Sequence, residues 1–235
     1  MEGENGMKFK EPLISGTIVR RYRRSLADVR LQNGKVVTVH SPGLGPMKGC
    51  YEPGKPVLLS DNQDAGRKNS LTWELISIDG VWIGVNPAVA KKVLVEAIES
   101  SSIPQLSDVE IQKETAYGLN KKSDLIVQGM EHNCFINIYS TGWVEKDVAF
   151  FPDAPARRAT EELQDLSEIA AKGHRAIAFF LVLRGDCSAL EFSEEIDGTF
   201  ARTARAAMKS GVEVLAYKAI VSPEEISLGT QLVVH

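Results

Sequence analysis

Alternating apolar and polar residues dominate the first third of the chain. Val29 to Val39 reads V-R-L-Q-N-G-K-V-V-T-V, with apolar positions alternating on both sides of Asn33-Gly34. An Asn-Gly pair between such runs predicts a tight hairpin with both turn residues at positive φ. Leu71 to Ile78 and Val81 to Val85 repeat the pattern around Asp79-Gly80, with Trp73, Ile76, Ile78, Trp82 and Ile83 in the flanking runs. Between the hairpins lie a Gly/Pro-rich loop from Ser41 to Pro56 and a short strand from Val57 to Ser60. About five strands with no helix among them predict a small closed barrel or sandwich, because closure removes exposed strand edges.

The period changes at Asn86-Pro87. Asn suits a helix cap and Pro its first position, so Pro87 to about Ser100 is expected to be helical, with Val89, Val93, Leu94, Ala97 and Ile98 close to one stripe. Downstream the pattern predicts strands at Asp124 to Gln128 and Cys134 to Ser140, then a helix at Ala156 to Lys172 and a strand at Ala176 to Leu183. A helix at Thr199 to Ser210 and a strand at Val212 to Ile220 follow. Both helices stop before a glycine, Gly173 and Gly211, as a left-handed C-terminal cap requires. The strands after them are continuous apolar runs, typical of strands covered on both faces. The expected organisation is a β domain over residues 1–86 and an α/β domain over 87–235.

Length agrees with two modules, since 235 residues at roughly 150 per domain is about 1.6 domains. Charge changes the picture more. The chain holds 27 Lys+Arg and 31 Asp+Glu, a net of -4. Residues 1–70 carry 12 basic and 7 acidic side chains, a net of +5, which leaves 15 and 24, or -9, for the rest. A basic module on an acidic partner suggests a polyanion ligand for the first, with a solvated basic face as the alternative. Cys50, Cys134 and Cys187 form neither C-x-x-C pairs nor a metal-ligand spacing. They fit a reduced chain, and with no membrane-length apolar run or leader-like start the expectation is a soluble cytoplasmic protein that makes no membrane contact.

The candidate chemistry begins at Arg20-Arg21-Tyr22-Arg23-Arg24, four guanidinium groups around one ring, the composition of a surface that tracks phosphates and stacks a base. On a regular strand Arg20, Tyr22 and Arg24 share one face and Arg21 and Arg23 the other. The apolar phase shifts between Leu26 and Val29, which points to an irregularity nearby. Lys48, Arg67 and Lys68 add charge in barrel loops. The G-x-G-x-x-x-G run from Gly43 to Gly49 has a proline inside and no following helix, so a tight connecting loop is favoured over a phosphate cradle. In the second region Glu114 and Asp124 precede and open a strand, while Asn137 and Tyr139 lie two apart on the next, with side chains on one face. Two carboxylates and a lysine in that arrangement would hold Mg²⁺ and activate a water against a phosphodiester. Here Asn137 offers only a neutral oxygen and Tyr139 no ammonium.

Several of these segments, in this order, resemble the sugar fermentation stimulation protein A (SfsA) family. They are R-R-Y-R-R-S-L-A-D-V at 20–29, V-H-S-P-G-L-G-P-M-K-G-C at 39–50, R-K-N-S-L-T-W-E-L at 67–75, F-F-P-D-A at 150–154 and V-E-V-L-A-Y-K-A at 212–219. The resemblance implies an N-terminal OB-fold followed by an α/β domain similar to the PD-D/E-x-K nucleases. It also implies DNA binding, single-stranded nucleic acid included, in the setting of genes for sugar metabolism. The departures fall where chemistry would be. Family members read I-E-V-K-S where this chain has Ile136 to Ser140, and V-T-x-R-G-x-K-H where it has Pro155 to Glu162, which keeps Arg158. The expectation is therefore a nucleic-acid binder that engages Arg20, Arg21, Tyr22, Arg23, Arg24, Lys48, Arg67, Lys68 and Arg158 and does not cut. Glu114, Asp124, Asn137 and Tyr139 would then be vestiges of a catalytic site, the first two being its metal ligands. The alternatives are a nuclease using Mg²⁺ or Mn²⁺ with substitutes such as Glu145, Lys146 or Asp147, and a protein-interaction scaffold docking through its acidic face.

Overall fold

The structure, a computed structural model, describes residues 6–43, 45–61, 70–107, 109–112, 123–128 and 133–235. After a short β1 (Met7–Lys8) come β2 (Ile14–Tyr22), β3 (Leu26–Leu31), β4 (Val36–His40), β5 (Pro56–Asp61), β6 (Leu71–Ile78) and β7 (Val81–Gly84). The six strands after β1 follow the order β4-β3-β2-β5-β6-β7, and a parallel contact of His40 with Thr72 joins β4 to β6 and closes a five-stranded barrel. Its interior is apolar: Ile18, Val29, Leu59, Trp73 and Ile76 are all buried. Asp79 and Gly80 take φ of 52° and 83°, as the β6–β7 hairpin requires. The β3–β4 hairpin differs from expectation. Only Gly34 is left-handed, and its amide donates to the Leu31 carbonyl, so Gln32 to Gly34 form a three-residue loop. One left-handed residue is enough once a third residue lengthens the turn.

The second region contains α1 (Val89–Glu99), β8 (Glu110–Gln112), β9 (Leu125–Gln128), β10 (Asn133–Thr141), β11 (Val144–Glu145) and β12 (Val148–Phe151). It continues with α2 (Arg157–Ala171), β13 (Arg175–Val182), β14 (Ala189–Phe192), α3 (Glu194–Lys209), β15 (Glu213–Val221), β16 (Glu225–Gln231) and β17 (Val233–Val234). The main sheet runs β1-β16-β15-β13-β10-β9-β8, with β10, β13 and β15 parallel. Along β13, Ile177, Phe179 and Leu181 pack toward α1 and the barrel, whereas Ala176, Ala178, Phe180 and Val182 pack toward α2 and α3. A strand buried on both faces must be apolar at every position, and this explains the continuous run.

The helices start differently from the expectation. Asn86 Oδ1 accepts from the Ala88 amide at 3.1 Å, but α1 itself begins at Val89. In α3, Ser193 caps an extra leading turn; helical geometry then breaks at Asp197, whose Oδ1 accepts from the amides of Thr199 and Phe200 at 3.1 and 2.9 Å. The expected start at Thr199 thus corresponds to the second helical segment, the one that Asp197 caps. Gly173 and Gly211 close α2 and α3 at φ of 85° and 95°. A second sheet, β11-β12-β14-β17, was not anticipated; its strands have two to four residues, too few to show a period.

Candidate nucleic-acid interface

The arginine cluster sits at the β2–β3 end of the barrel. The register slips between Ile18 and Arg20, the irregularity that the phase shift suggested. Arg20 Nε donates to Asp28 Oδ2 at 2.7 Å, with its guanidinium 5.1 Å from the Tyr22 ring centroid. Tyr22 Oη and Thr38 Oγ1 each donate to Asp28 Oδ1 at 2.9 Å. The Arg20 hydrogen bond, with help from Thr38 and Tyr22, holds the Asp28 carboxyl below the usual aspartate range. Arg21 points elsewhere. Its guanidinium donates to Ser41 Oγ at 3.0 Å, the Gly45 carbonyl at 2.9 Å, the Arg24 carbonyl at 2.7 Å and the Gly43 carbonyl. Arg23 and Arg24 form the exposed tip, both left-handed at φ of 50° and 58°. That conformation costs a non-glycine residue about 1–2 kcal/mol, so the chain accepts strain to present two cations at one turn.

The remaining basic candidates disperse. Lys48 Nζ lies 3.8 Å from the Trp143 ring centroid and 3.8 Å from Glu145 Oε1, an intramolecular cation-π and ion-pair contact with the other domain. Arg67 and Lys68 lie outside the described residues. Arg158, in the first turn of α2, donates through Nε to Glu162 Oε1 at 2.7 Å. The described residues of the glycine run, expected as a tight connecting loop, bridge the two domains. Arg21 holds the Gly43 and Gly45 carbonyls from the barrel side. From the other side Asp153 Oδ2 accepts from the Met47 amide at 2.9 Å, and Arg184 donates to the carbonyls of Gly49 and Gly142 at 3.4 and 3.2 Å. A Cβ on Gly45 would stand 2.5 Å from Asp153 Oδ1, and one on Gly142 2.5 Å from Cys50 Sγ, so glycine is required for the close approach.

Asp124, Asn137 and Tyr139 do come together, as their spacing predicted. The β9–β10 pairing ends at Leu125 and Ile136, and the Asp124 side chain continues it: Oδ2 accepts from the Ile138 amide at 2.8 Å. Asn137 Oδ1 accepts from the Asp124 amide and its Nδ2 donates to the Glu162 carbonyl, each at 3.4 Å. Tyr139 is 6% exposed, packed 4.9 Å from Phe180 and 5.7 Å from Phe151 between ring centroids, and its hydroxyl lies beside Asn137 and Glu162 without a hydrogen bond of good geometry among the described residues. Burial, reinforced by the neighbouring Glu162 carboxylate, pushes the phenol up in pKa, so it stays protonated. Burial also pushes Glu162 up, against the pull of Arg158.

Glu162 is the member of this cluster that sequence reasoning missed. Its place three and four residues from Ala159, Leu166 and Arg158 on an amphipathic helix was the available signal. A Mg²⁺ or Ca²⁺ ion takes six or more oxygens, with carboxylates prominent among them. The described residues contain no group of three His, Cys, Asp or Glu arranged to hold a metal, and backbone amides hydrogen-bond to Asp124 Oδ2 and Asn137 Oδ1. Glu114 lies outside the described residues. Of the substitutes considered, Glu145 Oε1 accepts from Trp143 Nε1 at 2.9 Å, Asp147 Oδ2 accepts from Ser188 Oγ at 2.9 Å, and Lys146 forms the left-handed turn between β11 and β12.

Comparison with known proteins supplies an independent view. Residues 19–85 match the SfsA N-terminal OB domain and residues 88–225 match the sugar fermentation stimulation protein RE domain. A sugar fermentation stimulation protein homolog of Pelobacter propionicus is 44% identical over 222 residues, spanning 94% of this chain and 96% of that one. A homolog of Geobacter sulfurreducens is 42% identical over 227 residues, 96% and 97% of the two chains. Among solved structures, Pyrococcus furiosus SfsA in complex with Ca²⁺ superposes with a TM-score of 0.90 at 21% identity, covering 99% of this chain and 100% of that one.

Proposed function

This chain belongs to the sugar fermentation stimulation protein family, and from its barrel we propose that it binds nucleic acid, DNA with single-stranded segments foremost, without cutting it. The observation that carries this reading is the exposed Arg23-Arg24 turn, held in a strained conformation at the end of an OB barrel. Barrels of this kind bind oligonucleotides through a sheet face and the adjoining loops. A pair of cations tracking a backbone beside Tyr22 suits a strand whose bases stack. Arg20 belongs to the same end through its Asp28 and Tyr22 contacts, and Arg21 acts as a positioning residue that holds the turn and the glycine loop. The absence of cutting is proposed from Asn137 and Tyr139, which stand where a carboxylate and an ammonium would be needed. A role at genes for sugar metabolism is the setting that this proposal inherits from the family.

The test is fluorescence anisotropy with a labelled 20-nucleotide single strand over a range of salt. About four neutralised phosphates would give a slope of log K on log salt near -3, at roughly -0.7 per contact. The Arg23→Ala/Arg24→Ala variant should flatten it by about 1.4. A salt-independent affinity, or one unaffected by that variant, would sink the proposal. The adjacency of Asp124 and Glu162 favours a second reading, an enzyme that still cuts. Product formed with Mg²⁺ or Mn²⁺ and abolished by Asp124→Ala would put that reading first.

A further inference from the structure

The cleft between the two domains holds a cavity of about 120 Å³. It lies outside the carboxyl ends of the parallel strands β10 and β13, where open α/β sheets place their ligands. Met47 and Val85 from the barrel side and Phe151 and Leu183 from the α/β side give it apolar walls. A closed apolar cavity of about 150 Å³ holds one benzene ring, so this space matches a single six-membered ring rather than the fused pair of a purine. Most polar side chains on the wall are already committed within the fold. Thr141 Oγ1 donates to the Phe150 carbonyl and accepts from the Trp143 amide, Trp143 Nε1 donates to Glu145 Oε1, and Cys50 Sγ donates to the Lys48 carbonyl. Two groups are not. Asp153 gives only Oδ2 to the Met47 amide, and among the described residues its Oδ1 and the Ser140 hydroxyl make no hydrogen bond, although both residues are half-buried on the wall. An apolar slot of this kind with a few uncommitted polar groups at a domain junction is the usual form of a small-ligand site.

The cavity is also tied to the arginine tip. Arg21 Nη2 donates both to the Gly43 carbonyl, on the cavity wall, and to the Arg24 carbonyl. A strand whose phosphates meet Arg23 and Arg24 therefore lies one guanidinium away from that wall. We infer that the cleft receives one base of the bound strand, a cytosine. Its exocyclic amine would donate to Asp153 Oδ1, the pairing by which carboxylates read this base, and the Ser140 hydroxyl would donate to the ring nitrogen or carbonyl beside it. Thymine and uracil present a carbonyl oxygen in place of that amine, so acceptor would face acceptor. The inference rests on the nucleic-acid reading and adds a base preference to a contact otherwise made with phosphates. Free cytidine carries the same ring chemistry, and the experiment separates the two sources.

The experiment measures the affinity of the full chain for labelled single strands of one repeated nucleotide: deoxycytidine, thymidine or deoxyadenosine. Wild type should prefer the cytidine strand over the other two by about tenfold. In Asp153→Asn the amide oxygen can keep the Met47 contact while the amide nitrogen turns a donor toward the cavity. The preference should then disappear or pass to the thymidine strand, and a ratio between strands is insensitive to the charge that this variant removes. Ser140→Val, which puts a methyl in place of the hydroxyl, should abolish the preference as well. Any other order in wild type, or a cytidine preference that survives either folded variant, overturns the inference. Preference for the cytidine strand with no response to free cytidine assigns the base to the strand. A melting temperature raised by cytidine, with equal affinities for the strands, assigns the cavity to a nucleoside and overturns the strand contact. If no strand binds, the nucleic-acid reading fails and nucleosides decide the cavity alone: a melting temperature raised more by cytidine than by uridine in wild type, but not in Asp153→Asn, sustains its chemistry, and equal responses overturn it.

Discussion

Replacing Arg21 by alanine separates structure from binding inside the arginine cluster. The change removes four donor contacts, to Ser41 Oγ and to the carbonyls of Gly43, Gly45 and Arg24. The contact with the Arg24 carbonyl is exposed, so water replaces it with little loss, and three part-buried contacts remain. Hydrogen bonds from a charged donor contribute about 1.5–3 kcal/mol net. Against this stands the cost of burying the guanidinium, visible in the lowering of the Arg21 pKa by burial. A net loss of about 2–4 kcal/mol follows, which in a chain of this size lowers the melting temperature by roughly 4–16 °C. Calorimetry on Arg21→Ala beside Arg23→Ala/Arg24→Ala checks it, because the tip pair should change stability by less than about 1 kcal/mol. A melting temperature within about 2 °C of wild type, together with a loss of affinity as large as that of the tip variant, would refute this account and make Arg21 a phosphate contact.

Acid should destabilise the fold through three carboxyls held below their usual range: Asp28 by Arg20, Asp186 by Arg184, and Asp197 by the amides of Ala156, Phe200 and Thr199. Their contribution is complete above the unfolded value near about 3.9 and is lost as pH falls through the lower folded values. Urea unfolding between about pH 6 and pH 3 should therefore show a loss that shrinks in Asp28→Asn and Asp197→Asn; an unchanged loss would contradict the assignment. Burial pushes the thiols of Cys50 and Cys134 up to about 12 and that of Cys187 to about 11. A disulfide reagent at pH about 8, where a free thiol begins to ionise, should find none of the 3 cysteines in the native protein and all of them in guanidinium. Gly142→Ala would drive a methyl to 2.5 Å from Cys50 Sγ and 3.0 Å from Ile83 Cγ2. It should cost about 1–3 kcal/mol in denaturant unfolding, and full stability would mean that the domain contact is looser than described.

The barrel was legible because its strands are long enough to show a two-residue period and its turns carry their own punctuation. The bulge in β2 was legible too, as a shift of phase, but its consequence was not. Which guanidinium faces outward depends on acceptors such as the Gly43 and Gly45 carbonyls, more than twenty residues away, and on Asp28, which reads locally as an ordinary strand acid. The same limit applied to the nuclease-like cluster. Asp124, Asn137 and Tyr139 share two neighbouring strands, so alternation placed them together. Glu162 reaches them from a helix one crossover later, and no local period announces that approach. The short strands β11, β12, β14 and β17 were invisible because two to four residues cannot display a repeat.

The loop from Ser41 to Cys50 is gripped by Arg21 from one side and by Asp153 and Arg184 from the other. A hinge between modules needs slack, and the described residues of this loop are held from both sides. Any drift in the sequence of the loop must be acceptable to two hosts at once. The barrel and the α/β half are therefore poor candidates for recombination with foreign partners, and a chimera joined at residue 86 would inherit a loop fitted to a neighbour it no longer has.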